Sequence, residues 1–390
     1  MKVNNIIIGA GISGIHIALQ LLDKGEDFLI LEKGKEGMTK LLTIHQPTIQ
    51  ENILLEIGPS VFHSNQKELM KLISRLNLTN DISIVDPKSK AYYVYPGMSS
   101  DDAKKRWREL KKKVFDFNFN DSLITLEEAS KKVLSKEEYS FFKWCWGEWY
   151  EVCDNNLMYL KKSLKEEGDY MIMNNGLDQI IKRGLDLLKD KVLFNRQVIS
   201  IKKGYIIEDI QGDSYECNKL FICGNYKGVS NIETSSLPLI KEYLSLGKSK
   251  ESLRFYAYFN RDIDIPYKFI FGKFMGKYTI KYSNRLWLIA YPDGILARKL
   301  HFNVSTNEIL EDWIEMMNNQ FKLNIKREDV EFNLCGYWED AFSILNKEYY
   351  IRGKDIINKL KDEGIIITSL PKDNGENSAW MEGHLINLTL

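Results

Sequence analysis

Cysteine and proline are both scarce in this chain of 390 residues, at 5 and 8 respectively. The cysteines, Cys145, Cys153, Cys217, Cys223 and Cys335, form no CxxC pair and keep no metal-ligand spacing to histidine. An odd, scattered set excludes a disulfide-stapled scaffold and implies reduced thiols. His45, His63 and His384 stand far apart, with no HxH or HExxH, so no metal site is expected. No GxSxG string marks a serine nucleophile. No apolar run reaches the roughly 18 residues of a membrane-spanning helix. Neither sign of charge is in excess, since Lys+Arg and Asp+Glu both number 54. That balance gives no support to a nucleic-acid or anionic-membrane partner. No basic segment or cleavage site precedes Ile6-Ile7-Ile8, and the expected location is cytoplasmic.

What is present is an interleaved α/β pattern. Residues 3–8 form a short apolar run ending at Gly9, which reads as a buried parallel strand. Ile15, Ala18, Leu19 and Leu22 then recur at helical spacing over 13–24, with Gly25 as the stop signal. Phe28 to Leu31 reads as a second buried strand. Strand, turn, helix and strand thus fit into about 30 residues, as a parallel crossover requires. Further along, helices are predicted at 66–76 and 306–321 and after Asn174-Asn175-Gly176-Leu177. Strands are predicted at 192–195, 198–202, 205–207, 219–223, 252–259, 286–291 and 364–368. A Lys/Glu-rich helical region fills 84–165. It carries basic runs at 104–106 and 111–113, read as a solvated face. It also carries an aromatic cluster around Trp144, Trp146 and Trp149, which is either core or the lining of a substrate cavity.

The bend between the first strand and helix is Gly9-Ala10-Gly11-Ile12-Ser13-Gly14, a GxGxxG placed between a strand and a helix with a second strand following. Gly9 permits the tight turn. Gly11 lets a diphosphate approach the backbone, and Gly14 lets helix and strand pack closely. The first-turn amides of the helix, from Ile12 and Ser13 onward, face the phosphates with the positive end of the helix dipole. Glu32 ends the second strand, 18 positions beyond Gly14, where a carboxylate accepts ribose hydroxyls and repels a 2′-phosphate. An adenine dinucleotide is therefore expected here.

These features, with the Leu31-Glu32-Lys33 strand end, resemble the flavin amine oxidoreductase superfamily. That group spans monoamine and polyamine oxidases, protoporphyrinogen oxidase and, more distantly, UDP-galactopyranose mutase. Glu56-Ile57-Gly58-Pro59 resembles its second segment, a strand and turn near the flavin ring. Asn175-Gly176-Leu177-Asp178 resembles its Gly-Gly-hydrophobic helix start. Arg196-Gln197-Val198-Ile199 resembles the strand whose valine, here Val198, meets the adenine through its backbone. Trp380-Met381-Glu382-Gly383 resembles the C-terminal motif that closes the flavin site, with Trp380 walling the substrate. Ser252-Leu253-Arg254-Phe255 is similar to the strand that carries an active-site lysine in many amine oxidases, which puts Arg254 in that place. An arginine stays charged and cannot act as a base, so Arg254 either serves the site in a changed role or pairs with a carboxylate.

There are departures. The Gly-Gly-Arg expected after the second strand is Gly37-Met38-Thr39-Lys40 here, with Lys40 in place of the arginine. No cysteine follows Trp338-Glu339 at the position of covalent attachment, so FAD is expected to be non-covalent. The Gly-acid pair expected in the last strand is missing, and Asp373 is only nearby. The resemblance implies a Rossmann-like (GR2-type) FAD-binding domain from 1–83, 168–240 and 335–390. An α+β substrate domain would be inserted as 84–167 and 241–334. The implied reaction is hydride transfer from a C–H beside nitrogen to the flavin, with reoxidation by oxygen. The substrate would be a small amine. A flavin-dependent sugar-nucleotide mutase is one alternative, suggested by Phe62-His63-Ser64-Asn65. A degenerate flavin fold kept for binding is the other.

Overall fold

The computed structural model describes residues 1–37, 39–85, 90–163 and 169–370. The chain divides into two compact units. The first comprises Met1–Val85, Lys162–Ser249 and Phe342–Leu390; the second comprises Asp86–Lys161 and Lys250–Ala341.

The first unit is centred on a five-stranded parallel sheet in the order Ile365–Ile367, Lys219–Ile222, Asn5–Ile8, Phe28–Leu31 and Val192–Leu193. Its middle strands are continuous apolar runs because both faces are covered. Ile6, Ile7 and Ile30 are wholly buried, and two apolar clusters flank the sheet. The helix Ile12–Asp23 lies in one of them. It ends as expected: Gly25 takes φ +68°, Gly25 N–H donates to Leu22 O (3.0 Å) and Glu26 N–H to Leu21 O (3.0 Å). That pair of bonds closes the last turn, and only a left-handed residue permits it. The buried stripe is wider than its spacing suggested, taking in Ile17 and Leu21, while Leu22 is exposed. Around the sheet stand an antiparallel ribbon of Val198–Lys202, Ile206–Asp209 and Ser214–Glu216, the hairpin Thr43–Pro47/Asn52–Glu56, and the helices Lys67–Arg75 and Asp178–Leu188.

The second unit has a six-stranded sheet in the order Val330–Leu345, Gly247–Phe259, Leu286–Ala290, Tyr278–Lys281, Phe269–Gly272 and Ala91–Val94. The helix Thr306–Phe321 packs Trp313 against Phe259 and Trp287. Its start is fixed by a capping box between Ser305 and Glu308. The helices Ser100–Asp116, Leu126–Val133 and Lys136–Cys145 enclose the aromatic cluster. Phe142, Trp146 and Trp149 meet edge to face at 5.4–6.2 Å and are buried, so this cluster is core. The basic face of the first of these helices is largely solvated. Lys111, however, lies over the rings of Trp107, Phe115 and Trp146. All five cysteines are free thiols. No helix among the described residues is long and apolar enough to cross a membrane.

Candidate cofactor site and a buried charge cluster

The glycine turn has the shape its sequence requires. Gly9 takes φ +104°, and its N–H donates to Leu31 O (2.8 Å), tying the turn to the second strand. A Cβ on Gly14 would lie 1.9 Å from Gly9 O, so no larger residue fits there. A Cβ on Gly11 would meet nothing within 4 Å. The backbone at Gly11 is thus open on the side where a phosphate group would approach. The helical ladder starts with Ile15 N–H donating to Gly11 O (2.9 Å), which leaves the amides of Ile12, Ser13 and Gly14 ahead of it. The side chains of Ile12 and Ser13 are buried, so these residues offer backbone donors.

Glu32 has a second task that its spacing does not reveal. It is buried, and it accepts from Ala10 N–H at Oε2 and from Gly34 N–H at Oε1, both at 2.7 Å. The carboxylate braces the turn, and each oxygen keeps a further lone pair for a ribose hydroxyl. Lys33 beside it is exposed. Arg196 N–H donates to Glu32 O (2.8 Å) and Asn195 N–H to Gly34 O (3.1 Å), which brings the strand of Val198 alongside Glu32. Gly58 is brought to Lys40: a Cβ on Gly58 would lie 1.8 Å from Lys40 O. The donors, the open backbone at Gly11 and the braced carboxylate fit an adenine dinucleotide. Trp380, Met381, Glu382 and Asp373 lie outside the described residues.

Glu56 was not singled out from sequence, yet it anchors this region. Its carboxylate accepts from Thr43 Oγ1 (2.9 Å) and Leu177 N–H (2.8 Å), joining the 43–56 hairpin to the helix start at Asp178. Burial pushes its pKa up to about 7, against the pull of those two bonds. A carboxyl raised in this way favours folding below about pH 4.5, and that contribution is lost as pH rises through 7. Glu56→Gln should therefore flatten the fall in stability between pH 5 and 8, a change of about 1–3 kcal/mol, read by thermal unfolding at each pH.

Arg254 lies in the second unit, almost fully buried. Its Nη1 donates to Ser252 Oγ (2.6 Å) and sits 3.7 Å from Asp293 Oδ1. Its guanidinium carbon stands 3.0 Å from the Tyr291 ring centroid. The carboxylate partner left open by the sequence is therefore Asp293. The same unit gathers Glu151, whose carboxyl burial pushes well up, and Lys277, whose pKa burial and Lys143 bring down to about 7. Asp293 is also raised by burial, against the pull of Arg254. These residues come from separate segments, and no local pattern links them. Glu127, Cys153 and Asp154 also approach one another in this unit. Both carboxylates there have lysine partners, Lys131 at 2.8 Å and Lys250 at 3.1 Å.

Residues 12–156 match the sequence profile of the flavin containing amine oxidoreductase family. The resemblance read from the motifs is borne out. Similar solved structures include putrescine oxidase variants from a structure-based redesign of cofactor binding. One double mutant superposes with a TM-score of 0.74 at 13% identity, over 100% of this chain and 97% of its own. Wild-type putrescine oxidase bound to putrescine gives 0.73 at 13% identity, with the same coverage. At that identity the likeness shows a shared mixed α/β fold with a parallel sheet.

Proposed function

We propose that the chain is an FAD-dependent amine oxidoreductase. The observation that carries this reading is the glycine turn, open at Gly11, closed at Gly14 and braced by Glu32, in a chain that matches the flavin amine oxidoreductase profile. The amides after Gly11 would hold the FAD diphosphate and Glu32 its ribose. Val198 would meet the adenine through its backbone, and Lys33 and Lys40 would supply positive charge nearby. Gly58 would leave room beside the ring, and Trp380, Met381 and Glu382 would close it. FAD would be non-covalent. When bound, it supplies a hydride acceptor for the C–H beside the substrate nitrogen, and oxygen takes the electrons onward. Arg254, in the place the resemblance gives it, would help to orient a small amine.

The test is the visible spectrum of the purified protein. Flavin bands that pass into the supernatant on acid precipitation and bleach anaerobically with a mono- or diamine support the reading. Peroxide should form when air is admitted. A colourless protein that cannot be reconstituted with FAD overturns it.

A further inference from the structure

The helix Lys67–Arg75 of the first unit has two faces of opposite character. Leu69, Leu72 and Ile73 are buried and join the core. The other face borders an open groove of about 660 Å³, lined by Ser64, Lys67, Met70, Lys71, Ser74 and Arg75. That lining holds three cations and two hydroxyls, and no carboxylate.

Left to solvent alone, this stripe works against the helix. Lys67, Lys71 and Arg75 follow one another at four-residue intervals, so neighbours along the stripe are like-charge pairs that repel. Lys67 also occupies the first turn, where the positive end of the helix dipole opposes a cation. It is exposed and forms no ion pair among the described residues. The other two cations do have acidic partners, but these stand outside the lining. Lys71 Nζ lies 2.6 Å from Glu68 Oε1. Arg75 donates from Nη2 to Asp23 Oδ1 (2.7 Å) and from Nε to Asp23 Oδ2 (3.3 Å), a pair that does not use its Nη1. An anion lying in the groove would offset both the mutual repulsion and the misplaced first-turn charge.

The spacing says what kind of anion fits. At the rise of an α-helix, Lys67 and Arg75 stand about 12 Å apart along the axis, with Lys71 midway. A single phosphate or sulfate cannot meet all three. A chain of linked phosphates carries negative charge along its whole length, and the hydroxyls of Ser64 and Ser74 can donate to its oxygens. The zero net charge of the chain does not bear on this, because a whole-chain balance says nothing of one face.

We propose that this groove is a binding site for a linear oligophosphate, with Lys67, Lys71 and Arg75 meeting successive parts of the phosphate chain. Its lining shares no residue with the glycine turn, and the site does not depend on amine oxidation.

The test is calorimetric titration of the full chain, saturated with FAD and at low ionic strength. Wild type should bind linear tripolyphosphate roughly tenfold or more tightly than inorganic phosphate, and the binding should fade as salt is raised. Lys67→Glu and Arg75→Gln should each weaken it roughly tenfold or more, whereas Lys67→Arg should keep it. Lys67→Glu puts an acid in the first turn, so its unfolding temperature should be no lower than that of wild type, which separates lost binding from a lost fold. Absence of binding, equal affinity for phosphate and tripolyphosphate, or unchanged binding in Lys67→Glu overturns the proposal. Tighter binding of a short oligothymidylate than of tripolyphosphate also overturns it, in favour of a nucleic-acid surface. None of these readouts involves flavin reduction, so the amine-oxidation reading stands or falls separately.

Discussion

Gly14→Ala is expected to abolish flavin binding and to lower stability by about 2–4 kcal/mol. The added carbon would lie 1.9 Å from Gly9 O and 3.0 Å from Gly9 C, both backbone atoms that no rotamer change can move aside. Relief requires the helix Ile12–Asp23 to back away from the first strand, which opens the core around Ile7 and Ile15 and pulls apart the amides that would face the diphosphate. Gly11→Ala makes the informative contrast. Its Cβ would touch nothing within 4 Å of the protein, so the variant should unfold at the wild-type temperature. It should nevertheless bind FAD at least tenfold more weakly, because the methyl would fill the space the phosphate needs. Thermal unfolding beside flavin fluorescence titration separates the two effects. A Gly11→Ala protein that binds FAD like wild type would place the cofactor elsewhere.

This contrast also marks what the sequence could and could not disclose. The first 32 residues were legible because each feature has a local signature. A buried parallel strand is a short apolar run, a tight bend needs glycine, and a helix stop needs a left-handed residue. The helix Thr306–Phe321 was legible too, although its Ser305–Glu308 capping box, itself a local signal, was not read. The strands Ala91–Val94 and Val330–Leu345 went unread. The first sits in a stretch whose Lys/Glu-rich periodicity is helical. Much of the second is only half-buried and lacks a clean alternation. Glu32 follows directly on the strand Phe28–Leu31, but its bracing of Ala10 and Gly34 depends on the turn's three-dimensional path. The Arg254 cluster was the least legible. Asp293, Glu151 and Lys277 carry no local signature that would single them out. The pairing of Leu286–Ala290 with Gly247–Phe259 and the bridge between Ser252 and Asp293 bring Arg254 beside Asp293. Buried charge is a tertiary property, and sequence periodicity carries no trace of it.

The same buried charge gives the second large effect. Lys277→Met should stabilise the second unit by about 3–5 kcal/mol at pH 7 and below, and by almost nothing near pH 10.5. Burial holds the folded lysine near pH 7, whereas the unfolded chain has the ordinary value of 10.5. Between those values the unfolded state binds the extra proton, so wild-type stability climbs as pH rises from 7 to 10.5 and is flat below 7 on this account. Methionine has no proton to bind, so the slope should vanish in the variant, and the two stability curves should converge at the alkaline end. Denaturant unfolding followed by tryptophan emission is the suitable measurement, because seven of the eight tryptophans lie in the second unit. A variant less stable than wild type at pH 6 would mean that the ammonium has partners of its own. A difference that does not shrink toward pH 10 would assign the effect to packing instead. A gain that fades with pH would identify Lys277 as a buried amine whose charging costs the fold stability.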